Sequence, residues 1–319
     1  MLKYPVAWTL ALAVFGATAA PARAHEMSFV THIDNAKRLL TADEVHMEFS
    51  RDGHENGEIV TVRRDQTVAP HVSASTPLRV TASANGGVRV QPSSDGSCSA
   101  VLCMAAGATS HAASERILAQ LSVVNEAGEL TVHGPDDGDW AAYIILSVPP
   151  DVALDVTAKN GELNIRDVGG RFTLHAQNGP IAIADVTGQV DGETTNGPIH
   201  FRGHSGDIHL RAQNGPVGVD LSDPVWSGKG LDASTVNGPV QLIAPAGLRT
   251  GVRVVGSQNS PFNVHTTAQA MDDLPGGVRS VQLGAGPVLV RLSTLNGPVE
   301  IKRPKASKAP TRTSRRVTS

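Results

Sequence analysis

Apolar residues in the middle of the chain recur at fixed distances from a repeated Asn-Gly pair. Residues three and five positions after each Asn are apolar, and the residue between them is polar or small. This period of two predicts β-strands with one buried face. The set is Leu163, Ile181, Ile199, Val217 and Val240, followed by Ile165, Ile183, Phe201, Val219 and Leu242. Each unit is therefore predicted to be a strand, a turn and a second strand.

The units also have a constant length. Asn-Gly-Pro occupies 178–180, 196–198 and 214–216, and Asn160-Gly161-Glu162 precedes them, so four successive asparagines are 18 residues apart. One such unit cannot bury its apolar face, whereas stacked copies bury a continuous one. We therefore predict an all-β fold, a β-helix-like parallel β-solenoid. Its turns would stack six asparagine side chains into a ladder: Asn160, Asn178, Asn196, Asn214, Asn237 and Asn296.

A sandwich of hairpins is the competing architecture, because Asn-Gly is also a strong hairpin signal. The constant 18-residue period favours the solenoid, since hairpins would need changes of register between units. We attribute the Asn-Gly turn to left-handed backbone, which Asn tolerates and Gly enters freely. Pro would then open the next strand.

The rest of the chain is less regular. Residues 25–69 form a lead-in with one strand near 58–62, and the solenoid is expected over 70–302, with a degenerate first unit at Asn85-Gly86. An insertion before the regular units predicts one short helix within 110–121, which would cover a sheet edge. Turn residues predict excursions at 223–228 and 271–277.

The two ends of the chain predict export. Residues 1–24 have the features of a signal peptide: Lys3, an apolar run and Ala22-Arg23-Ala24. No later segment approaches a membrane span, so the mature protein is expected in the periplasm, the cell envelope or outside the cell. Residues 303–319 are rich in Lys, Arg, Ser and Thr and are expected to be a disordered basic tail. The tail either attaches to an anionic envelope component or is a solvated end.

Cys98 and Cys103 are the two cysteines of the chain. In an oxidising compartment they are close enough in sequence to pair, and we predict a disulfide. Two free thiols are the alternative. Two cysteines are too few for a structural zinc site, and we expect no cofactor.

The pattern resembles the bacterial putative-adhesin family. The residues that carry the resemblance are Val148-Pro149-Pro150, Leu154-Asp155-Val156 before the first regular Asn-Gly, and Trp226, Gly228 and Gly230 in the excursion. The resemblance extends from about Asp65 to Arg303 and implies an exported β-solenoid, and no catalytic residues can be carried over from the family. The chain departs from the family in its Asn-Gly-Pro triplets and its His-rich lead-in.

Charged residues on the outward strand positions are the candidates for chemistry. Stacking would align His175, Glu193 and Arg211 in one column and place Asp191 beside His209. Such an array could hold a metal or perform acid–base chemistry on a polysaccharide. A flat column does not converge on a ligand, however, so we interpret it as a solvated face.

We therefore predict a non-enzymatic surface for adhesion or envelope scaffolding. Its partner would be a cell-envelope polymer, glycan or protein, with no specific nucleic-acid binding. The alternative is a polysaccharide hydrolase or lyase that uses the charged face. The chain lacks a nucleophile elbow, a phosphate loop, a His-Glu-x-x-His motif and the calcium-binding nonapeptide.

Overall fold

The computed structural model describes residues 27–32, 39–51, 59–83, 85–136, 138–257, 260–265, 270–274 and 277–304. Within these ranges the protein is nearly all β, with two large mixed sheets, a separate two-stranded sheet and one α-helix. The all-β prediction is confirmed. The predicted signal peptide and all but the first two residues of the predicted tail lie outside the described residues.

The helix α1 spans His111–Ala119, and a 3-10 turn spans Ala42–Glu44. The strands are, in chain order, β1 (Met27–His32), β2 (His46–Arg51), β3 (Val60–Val68), β4 (Leu78–Thr81), β5 (Val88–Pro92), β6 (Ser99–Ala108), β7 (Ser122–Glu126), β8 (Glu129–His133), β9 (Trp140–Val148), β10 (Val152–Ala158), β11 (Leu163–Arg166), β12 (Gly169–Ala176), β13 (Ile181–Ala184), β14 (Thr187–Asn196), β15 (Ile199–Gly203), β16 (Ser205–Asn214), β17 (Val217–Leu221), β18 (Ser227–Asn237), β19 (Val240–Ile243), β20 (Gly251–Ser257), β21 (Phe262–Val264), β22 (Ala270–Leu274), β23 (Val278–Leu283), β24 (Val288–Asn296) and β25 (Val299–Lys302).

From β10 to β19 the chain alternates between the two large sheets. Sheet I has the order β22-β23-β20-β24-β18-β16-β14-β12-β10-β4-β8-β7, and sheet II has the order β21-β25-β19-β17-β15-β13-β11-β5-β9-β6-β3. Neighbouring strands of consecutive units run parallel, and Phe172 pairs with Val190, which pairs with Ile208, in steps of 18 residues. The Asn-Gly turns therefore join sheet I to sheet II and are not hairpin turns. We call a sheet I strand together with the sheet II strand after its turn a rung.

The core lies between the two sheets. The apolar positions three and five residues after each Asn, from Leu163 to Leu242, are at most 1% exposed. They face a second set of buried side chains from sheet I, which includes Leu174 and Leu210. Burying each such aliphatic side chain contributes about 1.5–3 kcal/mol. The alternating residues thus form the inner faces of two sheets. Each rung needs its neighbours to bury its apolar side chains fully.

The order of the rungs departs from chain order at both ends. The last rung, β24–β25, lies between β18–β19 and β20–β21, and β4–β5 lies between β8–β9 and β10–β11. An apolar pattern shows which face of a strand is buried, but not which strand lies beside it. The predicted excursion at 271–277 is also corrected, because its first part belongs to β22, which pairs antiparallel with β23.

Helix α1 packs against one end of the sheets, as predicted from residues 110–121. The Ser110 hydroxyl accepts a hydrogen bond from the Ala113 N–H and caps the helix. Ser114 Oγ donates to the Val60 carbonyl at 2.6 Å, and Leu118 enters the core. This attachment holds the helix against the edge strand β3. None of the helices in the described ranges is long and apolar enough to cross a membrane.

Residues 39–49, here called the strap, pack on the outer face of sheet II. Four apolar strap residues contact the sheet: Leu40, Val45, Met47 and Phe49. Gln91 accepts from the Leu40 N–H at 2.8 Å and donates to the Leu40 carbonyl at 3.1 Å. Arg63 donates to the carbonyls of Val45 and Ala42. The strap therefore adds a second, smaller apolar cluster outside the main core.

Candidate binding surface and the turn ladder

The asparagines of the Asn-Gly turns form one continuous column of hydrogen bonds. The Nδ2 atom of each donates to the Oδ1 atom of the previous one at 2.9–3.0 Å, and Asn160 donates to Asn85 at 3.4 Å. The column contains every asparagine named from the sequence and adds Asn85. Every amide between the two ends of the column both donates and accepts, so the turns of successive rungs are held in register.

The glycine of each turn is required for a reason that the sequence analysis missed. A Cβ atom on Gly179, Gly197 or Gly215 would lie 2.0–2.1 Å from the carbonyl oxygen of the equivalent glycine one rung earlier. The φ angles of these glycines are outside the left-handed range, which instead occurs at Asp167 and Asp185 on the opposite corner. The explanation from left-handed backbone was therefore wrong. Close stacking of the turns makes glycine necessary.

The outer face of sheet I presents two columns of polar side chains, here called the outer columns. All of their members are exposed or half-buried. Five positions before the ladder asparagines stand Asp155, Thr173, Asp191, His209, Asp232 and Arg291, and three positions before stand Thr157, His175, Glu193, Arg211, Ser234 and Ser293. Parallel register places His175 next to Glu193, Glu193 next to Arg211, and Asp191 next to His209. Equivalent side chains in such columns lie about 4.8 Å apart.

Few of the charged side chains in the outer columns form ion pairs with other described residues of the protein. Asp207 beside them accepts from Lys229 Nζ at 3.0 Å and lies 3.2 Å from His209 Nε2. The hydrogen bond from Lys229 lowers the pKa of Asp207. Among the residues that the structure describes, Glu193 and Arg211 form no ion pair although they are neighbours. Their charged groups are thus available to a partner.

The polar side chains of the outer columns are arranged in lines and do not converge on one point. Within the described residues, no group of three or more His, Cys, Asp and Glu side chains could hold a metal ion. Asp191 and Glu193 project from the same face of one strand, two positions apart, which leaves them side by side rather than opposed across a substrate. The arrangement suits contact with an extended partner.

The aromatic residues near the columns are not a sugar-stacking platform. Phe201 and Trp226 are buried in the core, with ring centroids 5.8 Å apart. The Trp226 N–H donates to Thr250 Oγ1 at 2.6 Å, and its indole Nε1 donates to the Gly206 carbonyl at 3.2 Å. The excursion at 223–228 therefore anchors a core residue.

A buried polar cluster beside the strap was not predicted. Arg89 and Tyr143 are at most 1% exposed, and the Tyr143 hydroxyl donates to Glu162 Oε1 at 2.8 Å. Burial, together with the Glu162 charge, raises the pKa of Tyr143 well above its usual value, and burial lowers the pKa of Arg89. The available signal was Glu162, which stands where later units have Pro.

Cys98 and Cys103 are free thiols in this structure, which does not form the predicted disulfide. Cys103 lies within β6 and Cys98 immediately precedes it. Each extended residue adds about 3.3 Å, so positions five apart along a strand lie well beyond the Cα separation of about 4.4–6.8 Å that a disulfide needs. Burial raises the pKa of Cys98 to about 11 and that of Cys103 to about 12.

Among known proteins, this chain is similar to several solved structures. No protein-family model and no curated protein sequence matches the chain. A putative adhesin from Parabacteroides distasonis is 10% identical, with a TM-score of 0.41, over 78% of this chain and 98% of that one. A putative adhesin from Bacteroides fragilis is 14% identical, with a TM-score of 0.39, over 76% and 97%.

The chain resembles solved putative adhesins. The resemblance predicted from the sequence is thereby confirmed. A putative lipid binding protein from Parabacteroides distasonis is also similar, at 10% identity and a TM-score of 0.30, over 78% of this chain and 98% of that one. At these TM-scores, the function of this chain has to be inferred from its own residues.

Proposed function

We propose that the protein is an exported, non-enzymatic parallel β-solenoid that binds a polymer, glycan or protein of the cell envelope through its outer columns. The role would be adhesion or envelope scaffolding. The proposed mature chain begins at His25, with a lead-in to residue 69, the solenoid over 70–302 and a basic tail over 303–319. The observation that carries the proposal is the in-register alignment of exposed polar side chains on sheet I.

The geometry suits an extended partner for two reasons. The amide ladder and the stacked glycines fix the distance between rungs, so the outer columns keep a regular spacing without rearrangement on binding. The columns also combine acidic and basic groups, such as Asp191, Glu193, His209 and Arg211, with hydroxyl groups such as that of Ser234. Such a surface can form many weak polar contacts along a chain of repeated polar groups, each modest alone and additive in series.

Binding of the purified mature protein to fractionated envelope tests the proposal. The fractions are peptidoglycan, lipid vesicles and surface protein, with a glycan panel in parallel. The test variant is the combined substitution His175→Ala, Glu193→Ala and Arg211→Ala, which removes three exposed neighbours and no core contact. The matched control is Arg202→Ala on the opposite sheet, an exposed residue whose ion pair with Asp220 is long, at 4.0 Å.

We expect the triple variant to lose most of its binding and the control to bind like the parent chain, with equal thermal stability. A chain that ends at Pro304 separates the contribution of the tail, because binding through the tail is lost in that chain and weakens with salt. Absence of binding to every fraction, or full binding by the triple variant, would contradict the proposal. Removal of the 223–228 segment is unsuitable as a test, since it also removes the buried Trp226.

A further inference from the structure

The last rung of the protein occupies a slot between two rungs that precede it in the sequence. In sheet I, β24 pairs in parallel with β18 on one side and β20 on the other. In sheet II, β25 pairs in parallel with β19 and β21. Both walls of the slot come from the stretch of chain between β18 and β21. Both walls therefore precede, in the sequence, the rung that fills the slot.

The rung is well held in the slot. Its inward side chains Val290, Leu292, Val299 and Ile301 are at most 1% exposed. Thr294 Oγ1 donates to the Gly238 carbonyl at 2.8 Å, and the Asn296 amide continues the ladder to Asn237 at 3.0 Å. An empty slot would expose apolar surface and leave four strand edges unpaired, two in each sheet, which is unfavourable.

A single short connection attaches this rung to the rest of the described chain. Residues 284–287 form a tight turn between β23 and β24, and β25 is the last strand of the described residues. The turn is fixed by the Gly286 N–H, which donates to the Arg249 carbonyl at 2.8 Å, and by the Gly251 N–H, which donates to the Pro287 carbonyl at 3.0 Å. An element joined to the described fold by one short hinge can leave its slot without threading through a described loop.

We propose that β24–β25 of one copy of this chain fills the slot of a second copy, which gives a strand-exchanged dimer. The exchanged dimer keeps every pairing of the rung, since the same residues meet the same slot. Only the turn at 284–287 changes, and exchange of an identical element through a short hinge is a low-cost route to dimers. Folding at high protein concentration favours the dimer, because the slot and the rung then meet between chains.

A disulfide between two different chains reports the exchange directly. Ser234 of β18 and Ser293 of β24 are neighbours in register on the half-buried outer face, and parallel neighbours lie about 4.8 Å apart, within disulfide range. One full-length chain carries Ser234→Cys and another carries Ser293→Cys, both with Cys98→Ser and Cys103→Ala. The two chains are unfolded, mixed, refolded together and oxidised. We expect a covalent species of twice the chain mass whose share rises with protein concentration.

Three controls make the result decisive. Each chain refolded alone, and the two chains mixed only after separate refolding, are expected to give little of this species. A chain with both Ser234→Cys and Ser293→Cys is expected to close its disulfide within the monomer when refolded dilute. If that chain closes but the mixture gives no covalent dimer at any concentration, the exchange is refuted. If it does not close, the placement of β24 in the slot is wrong, and the proposal fails with it.

Discussion

Replacement of Gly197 by alanine tests the close stacking of the turns. The added Cβ atom would lie 2.1 Å from the carbonyl oxygen and 2.7 Å from the carbonyl carbon of Gly179, where contacts below 3.0 Å are essentially never seen. The two rungs must therefore separate by about 1 Å. That movement weakens two hydrogen bonds: the side-chain bond from Asn196 to Asn178 and the backbone bond from the Asn196 N–H to the Gln177 carbonyl. Overpacking costs about 1–3 kcal/mol and each weakened bond about 1, so we expect a loss of about 3 kcal/mol.

Urea unfolding followed by circular dichroism measures this loss, and Gly192→Ala in β14, the strand that ends just before Gly197, is the matched control. A Cβ on Gly192 would meet only Leu210 Cδ2, at 2.9 Å, and a side-chain end can move. Both glycines have φ outside the left-handed range, so both substitutions gain about 0.4–1 kcal/mol from a less flexible unfolded chain. We expect Gly192→Ala to stay within about 1 kcal/mol of the parent. If Gly197→Ala unfolds at the same urea concentration as Gly192→Ala, the reasoning about backbone contact is refuted.

Three further outcomes follow from the contacts described above. Asn196→Ala deprives both ladder neighbours of an amide partner and should lower the free energy of unfolding by about 1–2 kcal/mol, and an unchanged urea midpoint would contradict this. Gln91→Ala removes both hydrogen bonds to Leu40 and should speed amide exchange and proteolysis within the strap, with sheet I unaffected. At pH 8, in native protein without reductant, Cys98 and Cys103 should both be free thiols that react slowly with an alkylating reagent, because burial raises both pKa values above the ordinary 9.0. The intact mass of the protein after timed labelling checks this. Rapid labelling, or an unlabelled mass lower by two hydrogens, would contradict it. The folded state holds these thiol protons more tightly than the unfolded chain, so the stability that this provides is complete below about pH 9 and is lost as pH rises through 11 and 12.

The sequence was informative where structure is local and periodic. The alternation around each Asn predicted the buried positions from Leu163 to Leu242, and the constant spacing predicted which outward residues become neighbours, such as Glu193 and Arg211. Both follow because identical unit lengths place equivalent side chains in line. Helix α1 was equally accessible, since its cap and apolar side lie within one short stretch.

What the sequence did not show depends on neighbours distant in the chain. Asn296 of β24 bonds to Asn237, which lies 59 positions earlier in the chain. No spacing in the sequence indicates that the chain returns to pair beside β18. The buried contact of Tyr143 with Glu162 joins β9 to the turn before β11, two places that are 19 residues apart in the chain. The burial of Trp226 was missed because a segment rich in turn residues resembles an exposed loop. The role of the turn glycines was misassigned, because crowding between rungs and left-handed backbone both require glycine, and the sequence does not distinguish the two causes.

The two corners of each regular rung differ in how much variation in length they allow. The Asn-Gly-Pro corner keeps its length from rung to rung, whereas the corner after the sheet II strands β11 to β19 ranges from the single residue His204 to the seven residues 244–250. At the corner 222–226 the first four residues are exposed or half-buried, and Trp226 alone enters the core. That edge of the molecule is therefore a natural insertion site: foreign peptides grafted at 222–225, ahead of the Trp226 anchor, should be displayed at defined spacing on an otherwise unchanged scaffold.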